Sequence, residues 1–407
     1  MSTKIIPIFP ILSIVFFTAC SDLLTEAPNE TTVFDGPIEG LTSAQLKAFF
    51  DGDEAFSEVF NVQTGLGPIF NNTACVNCHP SDGRAHPSTN LVRFGRDNGG
   101  VFDYMLEAGG PQLQDRSIPG YPAEILPANY TGFSERGGPI VTGLGLIEAI
   151  PDASILANED PNDADGDGIS GRANFVEVPD YLQVGAERIT RGGKYLGRFG
   201  RKATAVNLLH QTVAAYKNDI GITTDFDPEE IFNPLAGGRF GDNVPDPELS
   251  TETVNNVVFY LQTLRPPPRR NESNPVVVQG EQIFTRIGCA TCHIPEMQNG
   301  PSPIDAVAFK PVRLYSDLLL HDMGPALADN FPEGEATGTE WRTTPLWGLG
   351  IVENVLGGTP FYLHDGRTSD LIDVLDLHLG EAESSRNRFL SLPQSDRDAL
   401  LAFLKSL

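Results

Sequence analysis

Two short stretches carry the strongest chemical signal in the chain: Cys75-Val76-Asn77-Cys78-His79 and Cys289-Ala290-Thr291-Cys292-His293. Cysteines separated by two residues lie about one helical turn apart, so both thiols face one edge of a flat ligand. The histidine that follows lies beneath that ligand. This is the pattern of covalent haem attachment, in which the thiols add across the vinyl groups and the imidazole takes the iron. A zinc ribbon needs no histidine directly after each pair, and a redox dithiol would not appear twice with similar flanks. The sequence therefore predicts two c-type haems held by Cys75, Cys78, His79, Cys289, Cys292 and His293.

The sixth iron ligand decides what each haem does. A thioether suits electron transfer, and an open position suits ligand activation. Beyond Met1 the methionines are Met105, Met297 and Met323. Met297 follows His293 too closely to reach the opposite face. Met323, in Ser316 to Gly324, is the preferred distal ligand of the second haem, with His321 and His364 as alternatives and core packing as its structural role. For the first haem, His86 sits in a loop and His210 on a helical stretch. Neither commands the role, and the first haem is expected to keep an open or labile position.

The elements that must present these residues repeat loosely. Gly67-Pro68-Ile69-Phe70 precedes the first motif and Gly280-Glu281-Gln282-Ile283-Phe284 the second, each read as an opening helix. Amphipathic stretches close each copy, over Thr253–Leu264 and Ser395–Leu407. An opening helix running into Cys-x-x-Cys-His, crossed by a closing helix, is the plan of a class I cytochrome c domain. The expected fold is mainly α, with two such domains, residues 56–268 and 269–407. Arg265-Pro-Pro-Pro-Arg269-Arg270 reads as the linker, since its prolines cannot continue a helix. The first domain carries a long Gly/Pro-rich insertion, roughly residues 95–250, and an insertion of that size points to function.

Composition is globular, with 40% hydrophobic and 20% charged residues. The net charge of −26 over 407 residues disfavours nucleic acid and suits a basic partner such as a small electron-carrying cytochrome, or serves solubility alone. Residues 1–19 read as a lipoprotein signal. Lys4 is followed by an apolar stretch too short and proline-broken to span a bilayer, and Phe17-Thr18-Ala19-Cys20 matches a lipobox. Lipid on Cys20 would anchor the chain to a membrane, facing the periplasm or cell surface of a Gram-negative bacterium and most simply on its outer membrane. Residues 20–55 would form the tether. Five cysteines then divide as one for the lipid and two for each haem.

Asp163-Ala164-Asp165-Gly166-Asp167-Gly168 has the alternating carboxylates and glycine turn of a calcium loop, or of a solvated acidic turn. Asn174 stands where an EF-hand needs glutamate, so this is not an EF-hand.

Several stretches together resemble the bacterial di-haem oxidoreductases, peroxidase- and thiol-oxidoreductase-type relatives of di-haem cytochrome c peroxidase. They are Gly143 to Pro151, Asp165 to Asn174, Gly197 to Ala203, Asn218 to Thr223, Ser316 to Asp329, Trp341 to Leu349 and Phe361 to Arg367. The resemblance implies that the N-terminal haem reacts with hydrogen peroxide, fed by the C-terminal haem. It also implies a distal glutamate that moves a proton during O–O cleavage. Glu148 matches that setting, among apolar neighbours that would raise its pKa. A helix-capping glutamate is the other reading. Where the family commonly carries tryptophan between the haems, this chain has Arg201, which would pair with a haem propionate instead. Trp341 and Trp347 remain as relays or core residues. Two other readings compete with the peroxidase: a pure electron carrier with both irons six-coordinate, and an oxidase or dehydrogenase of another substrate such as a thiol.

Overall fold

The computed structural model describes residues 34–407, apart from 239, 240 and 243. The signal segment and Cys20 lie outside the described residues. Among the described residues, no helix is long and apolar enough to cross a membrane.

Two helix pairs organise the chain. The first opening helix, Ser43–Ser57, starts at Thr42, whose side chain accepts from the Gln45 amide while Gln45 caps in return. It packs against the first closing helix, Thr251–Thr263, which is capped by Ser250. The second opening helix, Pro275–Arg286, begins with Asn274 as cap and Pro275 in the first turn, where a missing N–H costs nothing. It packs against the second closing helix, Gln394–Leu404.

The two crossings match residue for residue. A β-carbon at Gly52 would strike the Asn256 carbonyl oxygen, and one at Gly280 would strike that of Ala399. Only glycine lets the backbones approach so closely. Beside each glycine lies an aromatic pair, Phe56 with Tyr260 at 5.5 Å and Phe284 with Phe403 at 5.2 Å between ring centres. Four residues after each glycine, Phe56 and Phe284 sit 6.2 and 6.3 Å from the rings of His79 and His293. The repeated unit is thus Gly-x-x-x-Phe.

This corrects two sequence expectations. The opening helix of the first copy, Ser43–Ser57, lies mostly within residues 20–55, assigned above to a tether, and runs across the expected boundary. Ile69–Phe70 is a strand paired antiparallel with Arg116–Ser117. Between Phe56 and Cys75 the chain has room for that strand, which the short step from Phe284 to Cys289 lacks.

The expectation of a mainly α fold also needs correction, since helix accounts for 32% and strand for 13%. Much of the strand lies in residues 91–196. Leu91–Asp97 pairs with Gly132–Arg136 and Phe102–Asp103, and Lys194–Leu196 pairs with Phe175–Val176 and Thr190–Arg191, all antiparallel. Further on, Leu320–Asp322 pairs with Glu340–Arg342.

The proline-rich linker is not a packing boundary. The larger core joins Phe49, Phe56 and Tyr260 to Met297, Ile304, Val307, Leu314, Leu318 and Trp347. The smaller core holds Ile283, Phe284, Leu400 and Phe403. Residues 297–347 follow the second motif in sequence yet fill the first core.

One buried carboxyl in the first helix pair has a readable pH signature. Asp82 is 5% exposed and accepts from the Tyr260 hydroxyl at 2.7 Å. Burial, reinforced by Asp53 and Asp35, raises its pKa from 3.8 to about 7 against that hydrogen bond. The folded state therefore favours the protonated form, and this group's contribution falls as pH rises from the ordinary aspartate range through 7. Asp82→Asn is expected to flatten the melting profile across that window and to raise stability above it. Thermal melts at acid and mildly alkaline pH check this.

Candidate functional site

The second motif follows directly on its opening helix, whereas the first lies beyond the Ile69–Phe70 strand. Cys75–Cys78 forms a short helix, and Cys289–Thr291 a 3-10 turn begun by left-handed Gly288. None of these four cysteines is in a disulfide. Burial pushes the Cys75 and Cys289 thiols up to about 12, so neither is a thiolate nucleophile at neutral pH.

Both proximal histidines are held alike. His79 Nδ1 donates to the Pro139 carbonyl at 2.9 Å, and His293 Nδ1 donates to the Tyr315 carbonyl at 2.8 Å. Each bond fixes the tautomer and leaves Nε2 bare, which is how a metal-binding imidazole is oriented. Burial lowers both pKa values to about 4, so both rings are neutral. A β-carbon at Gly138 would crowd the His79 ring, so the Gly137-Gly138-Pro139 turn lies flush against it.

Both motifs open onto one continuous cavity of about 480 Å³. Its walls hold an unusual charge set. Arg84, Arg201 and Arg342 are buried and line it. Arg84 donates to the Leu363 carbonyl, Arg201 to that of Gly137 at 2.7 Å, and Arg342 to that of Gly200 at 2.9 Å. Among the described residues none of the three is ion-paired with a carboxylate. Arg201 illustrates the cost: burial and the repulsion of Arg84, Arg342 and Arg136 drive its pKa well below the ordinary value. Near the first motif, the buried Tyr216 hydroxyl and Thr212 Oγ1 also line the cavity without a hydrogen-bond partner. Bare imidazoles, thiols, orphaned hydroxyls and unpaired guanidiniums fit a large planar group with anionic arms, which is a haem with its propionates.

Sequence reasoning missed His378. It lies just past the Leu371–Asp376 helix and lines the cavity. Its Nδ1 donates to the Val374 carbonyl at 2.6 Å, leaving Nε2 bare as in His79 and His293. Burial lowers its pKa, and its charge is felt by His293. A count of the seven histidines would have flagged it, since search for a thioether drew attention to Met323. Met323 also lines the cavity, but only His378 shows the locked-imidazole geometry of a ligand.

The alternatives are engaged elsewhere. His321 Nε2 donates to Asp317 at 2.7 Å and its Nδ1 to Glu381 at 2.8 Å. Burial opposes its charge, but hydrogen bonds with Asp317, Cys292 and Glu381 hold its pKa well above the ordinary value. An imidazolium with both nitrogens donating cannot bind iron. His364 lines the cavity, stacked on Trp341 at 3.9 Å and 14°. Burial and the cations Arg367, Arg201, Arg136 and Lys202 push its pKa down to about 2. His86 is exposed and bonds Ser88, and His210 lies outside the lining, beside the lining residues Gln211 and Thr212. Trp341 and Trp347 both line the cavity.

Glu148 does not line the cavity. Its Oε1 accepts from the Leu208 amide at 2.7 Å, and its Oε2 accepts from Gln262 at 2.6 Å. It caps the Leu208–Ala215 helix and ties it to the first closing helix, so the geometry gives it the capping role rather than the catalytic one. In the acidic loop, Asp160 joins Asp163 and Asp165 in one cluster, while Asp167 turns away to accept from the Ile169 amide. The loop reaches the second motif through Ser170, which donates to Glu381 at 2.7 Å.

No curated protein matches the chain. Among solved structures, a hydrazine synthase from Kuenenia stuttgartiensis, pressurised with xenon, aligns over 100% of both chains at 14% identity and a TM-score of 0.36. A MauG-like protein associated with microbial copper homeostasis aligns over 94% of both chains at 12% identity and a TM-score of 0.37. A family model described as "Di-haem oxidoreductase, putative peroxidase" matches residues 129–407. With more than half its length in that match, the chain belongs to the di-haem oxidoreductase family.

Proposed function

We propose that the chain is a periplasm-facing oxidoreductase whose two covalent haems supply the redox chemistry, electrons entering at the second and reducing hydrogen peroxide at the first. The observation that carries this reading is the single cavity lined by both Cys-x-x-Cys-His motifs and by three guanidiniums without carboxylate partners. Each helix pair, with its crossing glycine and its phenylalanine beside the proximal histidine, supports a cytochrome c-like core around its motif.

The chain's own groups divide the work. His79 and His293, fixed by backbone carbonyls, would hold the irons. His378 would close the second site, which suits electron transfer. On the first side, the lining offers no locked histidine opposite His79 among the described residues, which leaves room for a small ligand. Arg84, Arg201 and Arg342 would neutralise propionates. Tyr216 and Thr212 are hydroxyl groups available to orient a small oxygen ligand. Trp341, stacked on His364, carries Lys202 at 4.7 Å and Arg136 at 5.4 Å from its ring, cations that disfavour its oxidation. Outside the described residues, lipid on Cys20 would tether the protein, and the chain's charge of −26 suits a basic donor.

A stopped-flow spectrum of half-reduced protein mixed with hydrogen peroxide tests the reading. Rapid oxidation at one haem with electron loss from the other is expected. Glu148→Gln is expected to react within about twofold of wild type, because the amide still accepts from Leu208. Slow bleaching without turnover would overturn the peroxidase reading and favour an electron carrier.

A further inference from the structure

Residues 221–250 connect the end of the Tyr216–Ile220 turn to the first closing helix, with no helix or strand among the described residues. Four carboxylates gather within this stretch. Oxygens of Glu230, Asp246 and Glu248 lie within 4.8 Å of one another. Asp242, only 2% exposed, lies beside them: its charge acts on Glu230, and that of Asp246 acts on it. A β-carbon at the preceding residue, Gly241, would collide with the Glu230 carboxylate.

The hydrogen-bond supply does not match this many acceptors. Asp242 Oδ1 accepts from the Val244 amide at 2.7 Å, but its buried Oδ2 has no partner among the described residues. Glu248 Oε1 is likewise buried and unpartnered. The Thr223 hydroxyl meets both Asp246 Oδ1, at 2.8 Å, and Glu248 Oε2, and it has one proton to give. Among the described residues no lysine or arginine forms an ion pair with any of the four. Crowded carboxylates with orphaned oxygens require either shared protons or a cation.

We propose that Glu230, Asp242, Asp246 and Glu248 form a binding site for one divalent cation of the calcium class, with the Thr223 hydroxyl as a further oxygen donor. The donors are all oxygen, and they come from an irregular segment that can adjust to six or more ligands, which suits calcium better than magnesium. This site is separate from the Asp160, Asp163 and Asp165 loop, which is exposed and whose oxygens are largely used by backbone amides of its own turn. A cation here would pin the irregular segment where it enters the closing helix. Glu248 also packs against Gly65, on the approach to the first haem motif.

The test uses the holoprotein stripped with EDTA, with calcium as the probe. Calcium is expected to raise the melting temperature of wild type by several degrees, and equilibrium dialysis is expected to show bound ion. Asp246→Asn with Glu248→Gln should lose that rise and one bound ion. In EDTA the same variant should melt at or above wild type, because like-charge repulsion is relieved. Asp163→Asn with Asp165→Asn should keep the rise. Should the double variant not accumulate, Glu230→Gln with a right-shifted calcium titration supports the site. A wild-type melt indifferent to calcium, or a rise retained in the Asp246/Glu248 variant, would overturn it.

Discussion

His378→Ala is expected to leave two haems attached but to remove the six-coordinate, low-spin signature, which belongs to the second haem. Three histidines share one local geometry. His79, His293 and His378 each spend Nδ1 on a backbone carbonyl and keep Nε2 bare in the same cavity. His378 also acts electrostatically on His293, which places the two rings near one another. His378→Met should restore six-coordination and raise the potential of that haem, since a thioether favours the reduced state. Met323→Leu should leave the signature intact. Absorption and electron paramagnetic resonance spectra of the three variants decide the matter. If Met323→Leu abolishes the signature and His378→Ala does not, the thioether is the ligand after all.

Gly280→Ala is expected to destabilise the second helix pair by about 1–3 kcal/mol, the range seen when a packed contact is overfilled. The added carbon would meet the Ala399 carbonyl and the Phe403 side chain, and backbone cannot swing aside as a flexible side chain can. Gly52→Ala meets Asn256 and Tyr260 in the same way. The matched losses would establish that both crossings perform one job. An exposed glycine such as Gly99, with open space around it, is the control, although its positive φ favours glycine. Urea denaturation of the haem-loaded proteins gives the comparison.

The haem motifs were legible because their chemistry is local: five consecutive residues define the thiols, the imidazole and their spacing. The closing helices were legible because amphipathic periodicity is also local. The first opening helix was not. Phe284 precedes Cys289 by five residues, whereas Phe56 precedes Cys75 by nineteen. Matching the copies by distance to cysteine therefore selected Phe70 in place of Phe56. Matching by Gly-x-x-x-Phe recovers the helix. Glu148 failed for another reason. Its apolar neighbours describe the helix it sits on, but its carboxylate points to a neighbouring helix start and to Gln262. Direction of a side chain is a tertiary fact. Arg201 lines the cavity, unpaired with any described carboxylate.

The packing of residues 297–347 into the first core has a thermodynamic consequence. A chain of two beads on a string melts in two steps, each bead at its own temperature. Here the first bead's interior includes Leu314, Leu318, Leu319 and Trp347, supplied by residues beyond the linker. Removing them opens the larger core, so the first half has no complete interior without the second, whereas the smaller core is built from residues 277–407 alone. Loss of structure in residues 297–347 is thereby expected to carry the first core with it, so the first half melts no later than the second instead of independently of it.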